Sequence, residues 1–191
     1  MKKSLIIMAF MLFSTFGFAQ ITKGDIQLGG SEAFFNTEFP DFDRANLSLR
    51  PSAGIFVSDL TSVGIKLQYS ISESNGLNSY SFDFGLNSRF HKMVSENLYL
   101  FVEPSVSIGR SSDENITGSD TKTNNFAIQV APGMSYFISP KIALEMSLGS
   151  LFYTTSKRDQ PSGEITTNNY GLSLNLSTVS LGFSYFIKNK R

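Results

Sequence analysis

The sequence has 191 residues, one domain's worth, with 16 basic residues balancing 16 acidic ones, no cysteine and one histidine. Zero net charge gives no reason to expect nucleic acid as a partner, and without cysteine neither a disulfide framework nor thiol chemistry is available. The order of the residues, not their composition, has to decide what is built.

Lys2 and Lys3 open the chain, Leu5 to Phe13 form an uncharged apolar run, and Ser14 to Ala19 shift to smaller residues, ending Gly17-Phe18-Ala19 before Gln20. This is the layout of a cleaved secretory signal, which predicts a signal peptide over 1–19 and a single domain over 20–191. The apolar run is shorter than the roughly 20 residues a spanning helix needs, and no later stretch approaches that length. A mature chain that lives in a membrane must then do so as a closed barrel, because an open sheet leaves unpaired backbone groups in lipid.

From residue 25 onward, apolar residues recur with the strand period of two. A first strand is expected near 25–35. The second has Leu47, Leu49, Pro51, Ala53, Ile55 and Val57 on one face, and the third Val63, Ile65, Leu67, Tyr69 and Ile71. The fourth sets Tyr80, Phe82, Phe84 and Leu86 against Ser81, Asp83, Gly85, Asn87 and Arg89. The fifth runs from Leu98 to Ile108, the sixth from Phe126 to Tyr136 and the seventh from Ile142 to Leu148, each with small or polar residues between. A last strand near 169–187 brings the count to eight.

The links alternate in length. Short ones fall near 58–61, 91–96 and 139–141; longer polar ones fall at 36–44, 72–78, 111–124 and 154–168. Short turns at one end and longer loops at the other are the outer-membrane arrangement, with an even strand count returning both termini to the periplasmic side. The expected fold is an all-β, eight-stranded, antiparallel up-and-down transmembrane barrel.

A soluble exported barrel is the rival, and the sign of the pattern separates the two. The apolar face carries bulky Leu, Ile, Val, Phe, Tyr and Met with no charge. The other face carries Gly, Ser, Ala and Asn with isolated charges, which suits the narrow lumen of an eight-stranded barrel. Each Lys or Arg on a lipid face would cost ~2–4 kcal/mol at the midplane. Aromatic residues are expected in two girdles: Phe90, Tyr136, Phe137, Tyr185 and Phe186 at the turn ends, and Phe34, Tyr69, Tyr80, Phe126, Phe152 and Tyr170 toward the loops. Pro51, Pro104 and Pro132 fall inside strands, where a closed barrel has no free edge, so bulges or interrupted ladders are expected there.

The segment Ala131-Pro132-Gly133-Met134-Ser135-Tyr136-Phe137-Ile138-Ser139-Pro140-Lys141-Ile142 and the segment Ser180-Leu181-Gly182-Phe183-Ser184-Tyr185-Phe186 resemble the outer membrane protein β-barrel domain family, similar to the OmpA, OmpX and OmpW barrels. The resemblance is one of pattern across the mature chain and carries no activity motif. It implies outer-membrane lipid and lipopolysaccharide as surroundings, a monomer, and the barrel-assembly machinery as a partner during biogenesis. The aromatic end of the last strand resembles the signal read by that machinery.

Catalysis has little to work with. His91 falls in a short turn beside Lys92, where a solvated role is expected, and no second histidine or cysteine completes a nucleophile–base pair. Asp41 with Asp43, and Asp113 with Glu114, lack the ligand spacing of a calcium loop and read as polar loop residues. No catalytic residue, cofactor or metal site is expected.

Arg50, Lys66, Asp83, Arg89, Glu103 and Glu145 belong to the inward parity. Charges inside must be paired or solvated, so they are expected to form a network that plugs the lumen. The sharper alternative is a gated narrow pore in which Lys66, Glu103 and Glu145 cluster near the periplasmic end. Removing Glu103 and Glu145 should then raise conductance. A small porin-like or OmpW-like channel, or adhesion through the loops, are the alternatives to a structural role.

Overall fold

A computed structural model describes residues 21–39, 42–74, 76–114, 121–160, 163–173 and 179–189. The expected signal peptide over 1–19 lies outside them.

Ten strand segments form one antiparallel sheet, closed through β1 to β7 and β10 and extended on β6 by β8 and β9: β1 (Ile26–Phe39), β2 (Phe42–Ser58), β3 (Thr61–Ser74), β4 (Leu77–Ser95), β5 (Leu98–Asp113), β6 (Thr121–Ser139), β7 (Ile142–Leu148), β8 (Ser150–Gln160), β9 (Gly163–Ser173) and β10 (Val179–Ile187). Neighbours in sequence pair from β1 to β6. β7 and β8 succeed one another as the seventh wall position, and β9 and β10 as the eighth, with β10 closing onto β1. The ring therefore has eight strand positions.

Alternation fixes the faces. Outward residues are large and exposed, among them Ile108 (61%), Leu181 (65%) and Phe183 (62%), while the intervening Ser184, Ser135 and Phe186 are buried. Solvating such a wall in water would leave a continuous apolar surface uncovered. On β5 the outward apolar run from Leu98 to Ile108 makes a belt about 25 Å tall at the usual strand tilt, the height of a barrel's lipid-facing band. Phe90, Tyr136 and Tyr185 are exposed at the turn end of this belt, and Tyr69, Tyr80, Phe126 and Tyr170 are exposed toward its loop end. Phe137 and Phe186 instead point into the lumen, as does Phe152. Position along a strand suggested a girdle, but parity with Ser135, Ser184 and Ser150 puts these rings inside. The side chain of Phe34 lies outside the described residues.

At the turn end, three hairpins share one construction. Asp59–Leu60, Glu96–Asn97 and Pro140–Lys141 make two-residue turns, each beside a one-residue register shift, before Ser58, Ser95 and Ser139. The carbonyl of each turn's second residue accepts from the next strand: Leu60 from His91 N–H (2.7 Å), Asn97 from Phe137 N–H (2.8 Å) and Lys141 from Phe186 N–H (2.7 Å). The turns are thus bonded around the rim.

The expected polar loops are shorter than their sequences suggested. β1 and β2 reach Phe39 and Phe42, β3 and β4 reach Ser74 and Leu77, and β8 and β9 reach Gln160 and Gly163. Beyond the belt both faces meet water, so alternation fades, while the backbone ladder continues among Thr, Ser and Asn.

Each in-strand proline keeps one neighbour and loses contact with the other. Pro51 pairs with Gly30 of β1, whereas the β2–β3 ladder skips from Leu49–Tyr69 to Ser52–Lys66 in unchanged register. Pro104 pairs with Val130, and the β4–β5 ladder skips from Asn87–Ser105 to Phe90–Val102. Pro132 pairs with Val102, and on its other side β6 changes partner from β7 to β8 across Gly149, which takes φ +60°. Two interruptions and one bulge thus absorb the three missing donors.

Candidate functional site: the turn end of the lumen

Inward parity at the turn end brings large side chains into a narrow ring. Arg89 of β4 is the hub. Its Nε donates to Glu103 of β5, and its Nη1 donates to both carboxylate oxygens of Glu145 of β7 at 2.9 Å. Glu103 also accepts from Lys66 Nζ of β3 and from Asn87 Nδ2 at 3.1 Å. Glu145 Oε1 accepts from Gln27 Nε2 of β1 (2.7 Å) and Ser135 Oγ of β6 (3.2 Å). Gln27 Nε2 also donates to Ser184 Oγ of β10 at 2.9 Å. The network draws side chains from seven of the eight wall positions.

Two carboxylates and two cations cancel, and every carboxylate oxygen has a donor. That satisfies the condition for burying charge, since one uncompensated ion inside would be expensive. Of the six charges expected in the lumen, Lys66, Arg89, Glu103 and Glu145 come together. Arg50 and Asp83 stand nearer the loops, attracting one another without an ion pair among the described residues. Asp83 lies over Gly109, where any Cβ would collide with its carboxylate. The expected cluster of Lys66, Glu103 and Glu145 omitted Arg89, which holds the two glutamates together.

Beneath the charges lies an aromatic layer. The Arg89 guanidinium sits 4.5 Å from the centre of the Phe101 ring. Ring centres run Phe101–His91 5.8 Å, His91–Phe56 5.2 Å, Phe56–Phe186 6.1 Å, Phe186–Phe137 4.8 Å and Phe137–Tyr99 5.5 Å. Ile21 and Ala143 complete the cluster. His91 is therefore a correction: it belongs to β4, is only 6% exposed, and packs, tilted, between two phenylalanines. Its backbone makes the same rim bond as those of Phe137 and Phe186, so it occupies a place filled by phenylalanine elsewhere around the ring. Neither ring nitrogen has a hydrogen-bond partner within the described residues.

The segments just before β1 and just after β10 clasp this layer from below. The Asp25 carboxylate, fully buried, accepts from Thr22 N–H (3.0 Å), Lys188 Nζ (3.0 Å) and Asn189 N–H (3.0 Å). Burial alone would push this carboxyl up; the Asn189 N–H, the Lys188 ammonium and the Thr22 N–H outweigh it and hold it below its usual range. Gly24 turns the chain at φ +90° and donates to Phe56 O at 2.8 Å, and Phe56 N–H returns a bond to Asp25 O at 2.9 Å.

Above the charge network the lumen widens into a cavity of about 500 Å³, walled by small residues such as Ser52, Ser107 and Ala127. Lys66, Glu103 and Glu145 form its floor and Arg50 and Asp83 its sides. Asp113 accepts from Ser79 and faces Arg158 at 3.6 Å, and Glu114 accepts from Asn78 N–H at 3.0 Å. Among the described residues no three His, Asp or Glu side chains converge on a metal site. Asp41 lies outside these residues, as does the side chain of Asp43.

No family model and no curated protein matches the sequence. Solved structures do match. The outer membrane protein OprG from Pseudomonas aeruginosa aligns over 91% of this chain and 100% of its own, with 10% identity and a TM-score of 0.60. A major outer membrane protein from Thermus thermophilus aligns over 86% and 99%, with 11% identity and a TM-score of 0.53. Neisserial surface protein A aligns over 84% and 95%, with 16% identity and a TM-score of 0.51. With so little identity the likeness is one of fold, and that fold is the small outer-membrane β-barrel.

Proposed function

We propose that this chain is a non-enzymatic integral protein of a bacterial outer membrane, with its termini and short turns in the periplasm and a lumen closed to solute flow. Its role is then structural, as a sealed barrel of the cell envelope. The observation that carries this reading is the Arg89–Glu103–Glu145 cluster seated on a layer of aromatic rings, inside a ring whose outer wall is apolar. The apolar belt favours lipid over water on the outside, and the satisfied charges favour a fixed plug over a wet channel on the inside. His91 is buried between Phe56 and Phe101, which argues against general-base catalysis.

Placement and plug are tested separately. The protein should require detergent for extraction and migrate faster unheated than heated on a gel. In planar bilayers the folded wild type should show no single-channel steps. Discrete steps from the wild type would replace the plug with a pore. Replacing Glu103 and Glu145 together with glutamine, which keeps their size, should open a measurable conductance if these charges hold the seal.

A further inference from the structure

On the outer wall near the loop end, β5 and β6 present a two-by-two block of polar side chains. Arg110 lies opposite Asn124, and Ser112 lies opposite Lys122. All four continue the outward parity of Ile108 and Phe126, and Arg110, Asn124 and Lys122 are exposed. Residues directly opposite sit about 5 Å apart and diagonal ones ~7–8 Å, so two cations on one diagonal and two neutral donors on the other surround a single spot. Tyr80 flanks it, opposite Ser112 on β4.

Among the described residues no carboxylate makes an ion pair with this block. Asp113 points into the lumen toward Ser79 and Arg158, Glu114 is engaged by the backbone and side-chain amides of Asn78, and the neighbouring Lys157 is taken by Glu164 at 3.1 Å. Asp159 of β8, which the register continued from Thr123–Arg158 places across from Lys122, makes no ion pair with it among the described residues. Neither Arg110 nor Lys122 has an ion pair among the described residues. The positive charge is also local, because the corresponding outward rim residue on β3 is Glu73.

Immediately below the block the wall turns apolar: Ile108 faces Phe126, and Val106 faces Ile128. Two cations outside any ion pair, above an apolar wall, match an amphiphile whose head is anionic and whose chains run down the belt. Guanidinium grips phosphate through two parallel hydrogen bonds and ammonium binds it as a point charge.

We propose that Arg110, Lys122, Ser112 and Asn124 form a site for a phosphate of a lipid A-type glycolipid in the leaflet around the loop end. This inference rests on the membrane placement proposed above. The test uses the protein purified in detergent, titrated with lipid A and followed by native mass spectrometry. Wild type should hold one lipid A in preference to phosphatidylglycerol, and the Arg110→Ser/Lys122→Ser variant should bind it at least tenfold more weakly. Lys92→Ser, which removes an exposed cation at the opposite, turn end of β4, should bind as wild type does. A folded, heat-modifiable double variant that keeps wild-type affinity overturns this inference alone. Equal wild-type affinity for phosphatidylglycerol overturns the assignment to lipid A. A wild-type protein that stays dissolved without detergent overturns the membrane placement and the site with it.

Discussion

The two halves of the lumen follow one alternation and reach opposite results. Toward the loops the inward positions hold Ser52, Ser107, Gly85 and Ala127, and a cavity remains. Toward the turns they hold Phe56, Arg89, Phe101, Glu103 and Phe186, whose side chains fill the ring. Backbone geometry is shared, so side-chain volume alone decides whether an eight-stranded ring is open or filled. Charge behaves differently in the two places for the same reason. Arg50 is exposed on the wall of the cavity, whereas Arg89 is enclosed and depends on Glu103 and Glu145.

That contrast is broken most severely at its hub. Arg89→Ala leaves two buried carboxylates without their shared cation, an operation that costs about 3–5 kcal/mol when one partner is lost. Denaturant unfolding in detergent, followed by circular dichroism, should show a loss of that order or a failure to fold. Arg50→Ala, the matching change in the open half, should cost less than about 1 kcal/mol. Equal losses for the two would show that the halves do not differ as described.

Much of this was legible in the sequence, and what was missed has a physical cause. Period two assigned the ring, the faces and the inward set, because lipid outside and a narrow lumen inside enforce the alternation on every strand. The clustering of Lys66 with Glu103 was within reach, since β3, β4 and β5 are consecutive hairpins. Arg89 reaching Glu145 was not, because β4 and β7 meet only across the lumen, a distance that closure and shear set and no local pattern records. His91 was misplaced for a subtler reason. Its segment His91-Lys92-Met93-Val94-Ser95 is polar enough to read as a turn, yet β4 runs on to Ser95. No spacing could have placed it, since Phe137 stands two residues before Ser139 and His91 four before Ser95; only the shared rim bond reveals that they are equivalent.

His91 sharpens the comparison in the opposite direction, because here the filled half carries a fault. A buried imidazole without partners forfeits hydrogen bonds it would make in water, at about 1–3 kcal/mol. A phenyl ring in its place would be a close fit in shape to the rings around it. The substitution His91→Phe should therefore raise unfolding stability by up to about 2 kcal/mol, with unchanged gel migration. A destabilised variant would mean that the imidazole nitrogens are served in a way the packing does not reveal.

Two ion pairs give the smallest test, one at each end of the barrel. Lys188–Asp25 closes the turn end around a fully buried carboxylate, while Lys157–Glu164 spans two exposed strands beyond the belt. Because the folded Asp25 carboxyl titrates below its usual range, its contribution is complete above about pH 4 and disappears as pH falls through the lower folded value. Stability of wild type should drop across that acid window, and Asp25→Asn, less stable at neutral pH, should drop less. Lys157→Ala should change stability by less than about 1 kcal/mol at any pH, because exposed pairs are screened and must order two flexible side chains. A larger loss at Lys157 than at Asp25 would reverse the ranking, placing the critical closure at the loop end instead of where the segments flanking β1 and β10 meet.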